Sequence, residues 1–333
     1  MSNKYLNSMI FINKKKLKVI KEENNEIYLS KVIKIDDFKK IIVSWNAVTP
    51  LNSYIVVQAR VFVQNKKDKK KKWSEWMSWG KWGTNIKRGS ESSKCDEVRI
   101  DVDTLSINEG YSGKAIELKI ISYYDNKGFA ADIREVAITY YKENNNDLKN
   151  KKYELINKLI ETPCISQMKR NEKIAHKICS PTSLTMLLNR LGENLKVEDV
   201  AYSCFDYNYN EFGNWTYNVA YAGSLGYKAY VEYGGIDSLI REISNGNPIE
   251  VSVKYTNDIN NKEYPYIENA PLTTSGHLIV VCGIEVSNNG KWVIVNDPAG
   301  KDDESVRLKY KFEDFMKAWQ RSNYIMYVIY KQD

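Results

Sequence analysis

The chain has 333 residues, of which 43% are hydrophobic, 12% aromatic and 27% charged, with 17 Gly and 7 Pro. That is enough chain for two hydrophobic cores, and too much apolar character for a disordered, collagenous or low-complexity protein. The net charge of +7 is lopsided: residues 1–150 hold 28 Lys+Arg against 19 Asp+Glu, and residues 151–333 hold 21 against 23. An anionic partner is therefore an expectation for the first half only, and a nucleic-acid-binding role for the whole chain is not.

The N-terminus lacks the basic stretch, apolar run and small-residue cleavage site of a signal peptide. No apolar run approaches the roughly 20 residues needed to span a bilayer. The expected location is cytoplasmic as written, with secretion or the cell surface as the alternative. From Ile27 to Tyr141 the sequence reads as short strands: 41–45, 54–63, 97–100, 115–121 and 136–140 are β-branched or aromatic and are separated by turn signals. With no amphipathic helix among them, they predict an all-β sandwich over residues 1–145, of binding or scaffolding type.

Within that region Lys66 to Lys72 forms a basic loop, read as a solvated hairpin tip that discourages edge pairing. Trp73, Trp76, Trp79 and Trp82 follow at a spacing of three. Strict strand alternation puts Trp73 and Trp79 on one face and Trp76 and Trp82 on the other, one pair in the core and the other free to stack on Arg or Lys or to hold a sugar ring. A glycan or anionic ligand on the sandwich is the corresponding expectation.

A polar run begins at Lys142, and the linker is placed at 146–158. Residues 159–333 mix helices (181–191, 236–243) with strands (227–233, 249–253, 277–286, 292–295, 324–330), an α+β pattern. The five cysteines, at 95, 164, 179, 204 and 282, form no CxxC and no ligand-like set with the two histidines. Neither a disulfide framework nor a metal or cofactor site is expected.

Cys179 opens a segment in which Pro181 suits a first helical turn, Leu184, Leu187, Leu188 and Leu191 make one apolar stripe, and Gly192 suits a helix end. A thiol at a helix N-terminus is favoured as thiolate by free amides and the helix dipole. A base is needed, and the candidates are His176, in a charged loop, and His277, at the mouth of the apolar strand 277–286. The next strand ends in Asn296-Asp297-Pro298, so antiparallel pairing brings Asp297 toward His277. A tight turn at Asn289-Gly290 leaves the two offset unless a longer loop or a bulge intervenes. Gln167, twelve residues before Cys179, can donate to a developing oxyanion.

In order and spacing, Pro163-Cys164-Ile165-Ser166-Gln167-Met168, Cys179-Ser180-Pro181-Thr182-Ser183-Leu184, Gly276-His277-Leu278-Ile279-Val280-Val281 and Val295-Asn296-Asp297-Pro298-Ala299 resemble the papain-fold cysteine peptidases related to the bacteriocin leader-processing peptidases. Ser305-Val306-Arg307 and 312–319 extend the match, which runs from about 160 to 330. The resemblance implies a papain-like α+β domain over 159–333 with Cys179 as nucleophile, His277 as base and then acid, Asp297 as orienting carboxylate and Gln167 as oxyanion donor. It implies a peptide or protein substrate. Ile178 departs from the aromatic that many relatives carry there, and Lys169, Arg170, Lys173 and Lys177 make the intervening segment unusually basic. Leader peptidases proper are fused to membrane transporters, of which this sequence has no trace. The alternatives are a papain-like acyltransferase, a non-peptide amidase, or an idle second domain beside a binding sandwich.

Overall fold

The computed structural model describes residues 8–142 and 154–331, so the expected linker lies outside the described residues up to 153. In chain order the strands of the first stretch are β1 (Met9–Asn13), β2 (Lys18–Lys21), β3 (Asn25–Leu29), β4 (Ile33–Phe38), β5 (Lys40–Val48), β6 (Tyr54–Asn65), β7 (Lys71–Trp73), β8 (Met77–Trp82), β9 (Ser93–Lys94), β10 (Val98–Asp101), β11 (Thr104–Ile107), β12 (Tyr111–Tyr123) and β13 (Asp132–Tyr141). The second stretch holds β14 (Lys158–Leu159), α1 (Cys179–Arg190), α2 (Val197–Cys204), α3 (Trp215–Ser224), β15 (Lys228–Tyr233), α4 (Ile236–Ser244), β16 (Ile249–Tyr255), β17 (Thr274–Ser287), β18 (Gly290–Asn296), β19 (Arg307–Lys311), α5 (Phe312–Gln320) and β20 (Ile325–Tyr330). Among the described residues no helix is long and apolar enough to cross a membrane.

Two compact units interleave along the chain. One comprises described residues 8–142 and 205–230, the other 154–204 and 231–331. The first is a β-rich unit of two antiparallel sheets, β1-β13-β5-β11-β10-β9 and β2-β3-β12-β6-β7, with β4 added on β12 and β8 on β6. Along β6 the alternation is strict: Ile55, Val57, Ala59, Val61 and Val63 are buried, while Tyr54, Val56, Gln58, Arg60 and Phe62 lie at the surface. Both sheets feed one core containing Trp45, Trp79, Trp82 and Phe38. β5 is buried on both faces from Ile41 to Ala47. Its second face, with Ile42, Ser44 and Asn46, is covered by α3.

The tryptophan row departs from simple alternation. Trp79 and Trp82 are both buried, at 1% exposure each, and Trp73 and Trp76 are both at the surface. Residues 74–76 leave the strand between β7 and β8, and Gly80 adopts φ +80° where the β6–β8 register shifts between Val56 and Gln58. A bulge adds a residue and reverses the parity, so the three-residue step from Trp79 to Trp82 returns to the same face. Any side chain at Gly80 would meet the Gly89 carbonyl at 2.1 Å. Outside, the Arg60 guanidinium sits 4.8 Å from the Trp73 ring and 5.0 Å from Trp76, with the Lys119 amine 4.3 Å from Trp76. These rings are faced by the protein's own cations.

The second unit is built on a mainly antiparallel sheet ordered β15-β20-β16-β17-β18-β19, with β14 added on β17. α1 lies against β17 and is buried from Ser180 to Leu188. Its Ser183 hydroxyl donates to the Leu278 carbonyl at 3.1 Å, which ties the helix to the strand that carries His277.

Candidate active site

The thiol sits at the very start of α1. Ile178 precedes it without any side-chain cap, Pro181 has no N–H and the Thr182 N–H donates to the Ile178 carbonyl, so the amides that can face an anion here are those of Cys179 and Ser180. Backbone N–H groups of Leu278 and Ser180 approach the sulfur, and the His277 imidazole is its side-chain partner. Cys179 is partly exposed.

His277 and Asp297 come together because of one extra residue. The β17–β18 hairpin turns at Asn288-Asn289, with Ser287 opposite Gly290, and the register shifts between Val281 and Gly283. Cys282 is the unpaired residue of this bulge. Beyond it Val280 faces Asn296, so Asp297 stands opposite Ile279, on the face that His277 shares two residues away. Without the bulge Asp297 would face Val280 and point to the other side, since a one-residue slip inverts a strand. The expected offset is thus resolved by a bulge rather than a longer loop. Gly283 is required beside it: a Cβ there would lie 2.3 Å from the Lys158 carbonyl of β14.

His277 Nε2 lies 2.8 Å from Asp297 Oδ1, which leaves Nδ1 for the thiol. Asp297 is fully buried, and its second oxygen accepts from the hydroxyls of Tyr255 at 2.6 Å and Tyr310 at 2.8 Å. The Ala299 N–H adds a bond of 3.0 Å to Oδ1. Burial opposes ionisation of Asp297, but the imidazolium charge and these donors hold its carboxyl below the ordinary 3.8. Burial likewise opposes a charged His277, and the adjacent Asp297 carboxylate overrides it, raising the imidazole to about 10. At Cys179 burial favours the neutral thiol, yet the imidazolium prevails and the thiol falls below its ordinary 9.0. The three groups therefore stabilise one charge pattern: thiolate, imidazolium, carboxylate.

Gln167 is buried, and its backbone N–H donates to the Pro298 carbonyl at 2.8 Å, immediately after Asp297. Its side-chain amide donates to the Ala175 carbonyl at 2.7 Å, and its Oε1 has no partner among the described residues. The loop is fastened to the turn after Asp297 by Ser166, whose hydroxyl donates to Gly300 O at 2.5 Å and whose N–H donates to Asp303 at 2.7 Å. Asn296 and Arg307 hold the preceding segment through the carbonyls of Thr162 and Pro163. The sequence segments singled out around Gln167, Asp297 and Arg307 are thus one hydrogen-bonded assembly. His176, by contrast, lies exposed in a short turn of helix.

Residues 159–327 match the Peptidase_C39 like family, which is more than half of the chain. The chain belongs to that family. Residues 26–139, within the first stretch of the β-rich unit, match a peptidase C39 N-terminal domain. No curated protein matches the chain. In this C39-like protein Tyr255 and Tyr310 were missed by sequence reasoning. The two tyrosines stand in the ordinary strand contexts Lys254-Tyr255-Thr256 and Lys309-Tyr310-Lys311, where nothing separates a carboxylate donor from a core aromatic.

Proposed function

We propose that this protein is a papain-like cysteine peptidase that cleaves amide bonds of a peptide or protein with Cys179, His277 and Asp297 as its triad. The observation that carries the reading is the contact chain from an uncapped helix N-terminus through an imidazole to a buried, fully hydrogen-bonded carboxylate. A merely structural histidine has no need of a thiol on one nitrogen and a buried carboxylate on the other.

In the proposed reaction the Cys179 thiolate adds to the substrate carbonyl carbon, and the carbonyl oxygen takes up the negative charge. That oxyanion is received by the Cys179 backbone N–H and by the second amide proton of Gln167, the first being used on Ala175. Collapse expels the amine, protonated by His277, and leaves a thioester on Cys179. The neutral imidazole then takes a proton from water, hydroxide adds to the thioester, and collapse releases the acid and regenerates the thiolate beside imidazolium. Asp297 keeps its charge throughout and fixes the ring orientation. A peptide-like thiol electrophile is expected to label the wild-type chain stoichiometrically and to leave Cys179→Ala unlabelled. Equal labelling of the two would remove Cys179 from the nucleophile's role.

A further inference from the structure

A second carboxyl lies under the same helix and takes no part in the triad. Glu250, on β16 between β17 and β20, is 0% exposed. Its Oε1 accepts from the Ser180 hydroxyl at 3.0 Å, and that hydroxyl lies 3.1 Å from the Tyr327 hydroxyl. Ser180 directly follows the nucleophile and its own N–H approaches the Cys179 sulfur. Glu250 Oε2 has no hydrogen-bond partner among the described residues. A carboxylate so placed would be a buried charge with one solvated lone-pair set missing, costly enough that such groups take up a proton instead.

We infer that Glu250 is a positioning residue of the active site, kept as a neutral carboxylic acid, whose hydrogen bond to Ser180 seats the first turn of α1 beneath the thiolate. The inference rests on the peptidase reading of Cys179. Neutrality and position belong together: an ionised Glu250 would place a negative charge near Cys179 and work against the thiolate. The titratable groups that act on it are Cys179 from α1 and His277 from β17, with Tyr327 of β20 reaching it through Ser180. Burial drives its proton affinity well above that of an ordinary glutamate and the nearby thiolate adds to this, outweighing the Ser180 hydrogen bond and the His277 charge, which act the other way.

The experiment uses the full chain and two variants. In Glu250→Gln the neutral shape persists, so kcat/KM is expected within about threefold of wild type. The pH profile of Cys179 alkylation by iodoacetamide should superimpose on that of the parent. Glu250→Ala frees Ser180, and kcat should fall about tenfold with KM little changed, the cost of one broken buried hydrogen bond. Difference infrared spectra at neutral pH should show the carbonyl stretch of a protonated carboxyl in wild type that Glu250→Gln lacks. A Gln variant whose alkylation profile moves about one pH unit lower, or an infrared spectrum without the lost band, overturns the inference. Failure of the peptidase reading is separate: the wild-type thiol would then alkylate no faster than a free cysteine at mildly acidic pH, while the infrared band still reports on Glu250.

Discussion

At the scale of single residues, the site is governed by what Asp297 is given to hold. A buried carboxylate with donors on both oxygens stays ionised and keeps the imidazole protonated, and the imidazolium in turn keeps the thiol ionised. Activity should therefore rise as Cys179 ionises below pH 9.0 and decline only as His277 loses its proton near pH 10. Asp297→Asn removes the charge that raises the imidazole. Its alkaline limb should move down toward the ordinary histidine value of 6.5, and kcat/KM should fall by about a hundredfold. A pH–rate profile with an unmoved alkaline limb would detach Asp297 from His277. Tyr255→Phe and Tyr310→Phe should each cost a few-fold, and together more than the product, because only the double variant strips Oδ2 of every hydroxyl donor. By linkage, stabilisation from the raised imidazole is complete below pH 6.5 and fades as pH rises through about 10. Of the proposed set, Cys179 and His277 stood out in the sequence as scarce residue types at the edge of apolar elements, and Asp297 through its place at the end of the next strand. The tyrosines and Glu250 did not, because their roles come from partners brought by remote strands.

At the scale of elements, the decisive feature is the bulge at Cys282, which sets which way Asp297 points. Pairing Cys282 into the β17–β18 ladder would turn Asp297 to the face away from His277, whereas removing Cys282 altogether leaves Ile279 opposite Asp297. Deletion of Cys282 is therefore expected to keep near-native far-ultraviolet circular dichroism and a Cys179 that alkylates faster than a free thiol at mildly acidic pH. Cys282→Ala keeps the bulge and should keep the enhanced rate. A deletion variant that alkylates no faster than a free thiol would refute the register argument. The sequence shows the hairpin plainly through its apolar strands and Asn289-Gly290, but a bulge leaves no composition signal. Helix visibility follows the same logic. α1 announces itself through Pro181, a leucine stripe and Gly192, and α4 through its amphipathic pattern. α3 is buried around most of its circumference and so lacks the one-sided period by which a helix is recognised. Gly80 hides the tryptophan parity in the same way that Cys282 hides the triad's.

At the scale of the whole molecule, the chain's two compact units are not two consecutive lengths of sequence. Residues 205–230 follow the nucleophile helix yet pack in the β-rich unit, where Tyr217 and Ala220 join its core and Tyr217 meets the Trp45 ring edge-on at 6.4 Å. Polar contacts fix the segment as firmly. Asn46 makes a two-way pair with the Ala229 backbone, at 2.6 Å and 3.1 Å, and Arg134 donates to the carbonyls of Gly223, Gly226 and Tyr227 at the end of α3. Buried Asp206 accepts from Ser90 and from Asn214. In the sequence this arrangement leaves only the short apolar run Ile41-Ile42-Val43, because Ser44 and Asn46 on the covered face give β5 the alternation of a surface strand. A polypeptide ending at residue 145 would expose the second face of β5 and strand the Asn46 and Arg134 donors. Loss of Tyr217 burial alone would cost about 4 kcal/mol, a large part of the roughly 5–15 kcal/mol that holds a domain together. Residues 1–145 produced alone should therefore bind hydrophobic dye and melt without cooperativity, whereas the same residues joined by a short flexible linker to 205–230 should melt in one sharp transition. If the two polypeptides instead unfold cooperatively at the same temperature, α3 is a passenger on the β-rich unit rather than part of its core.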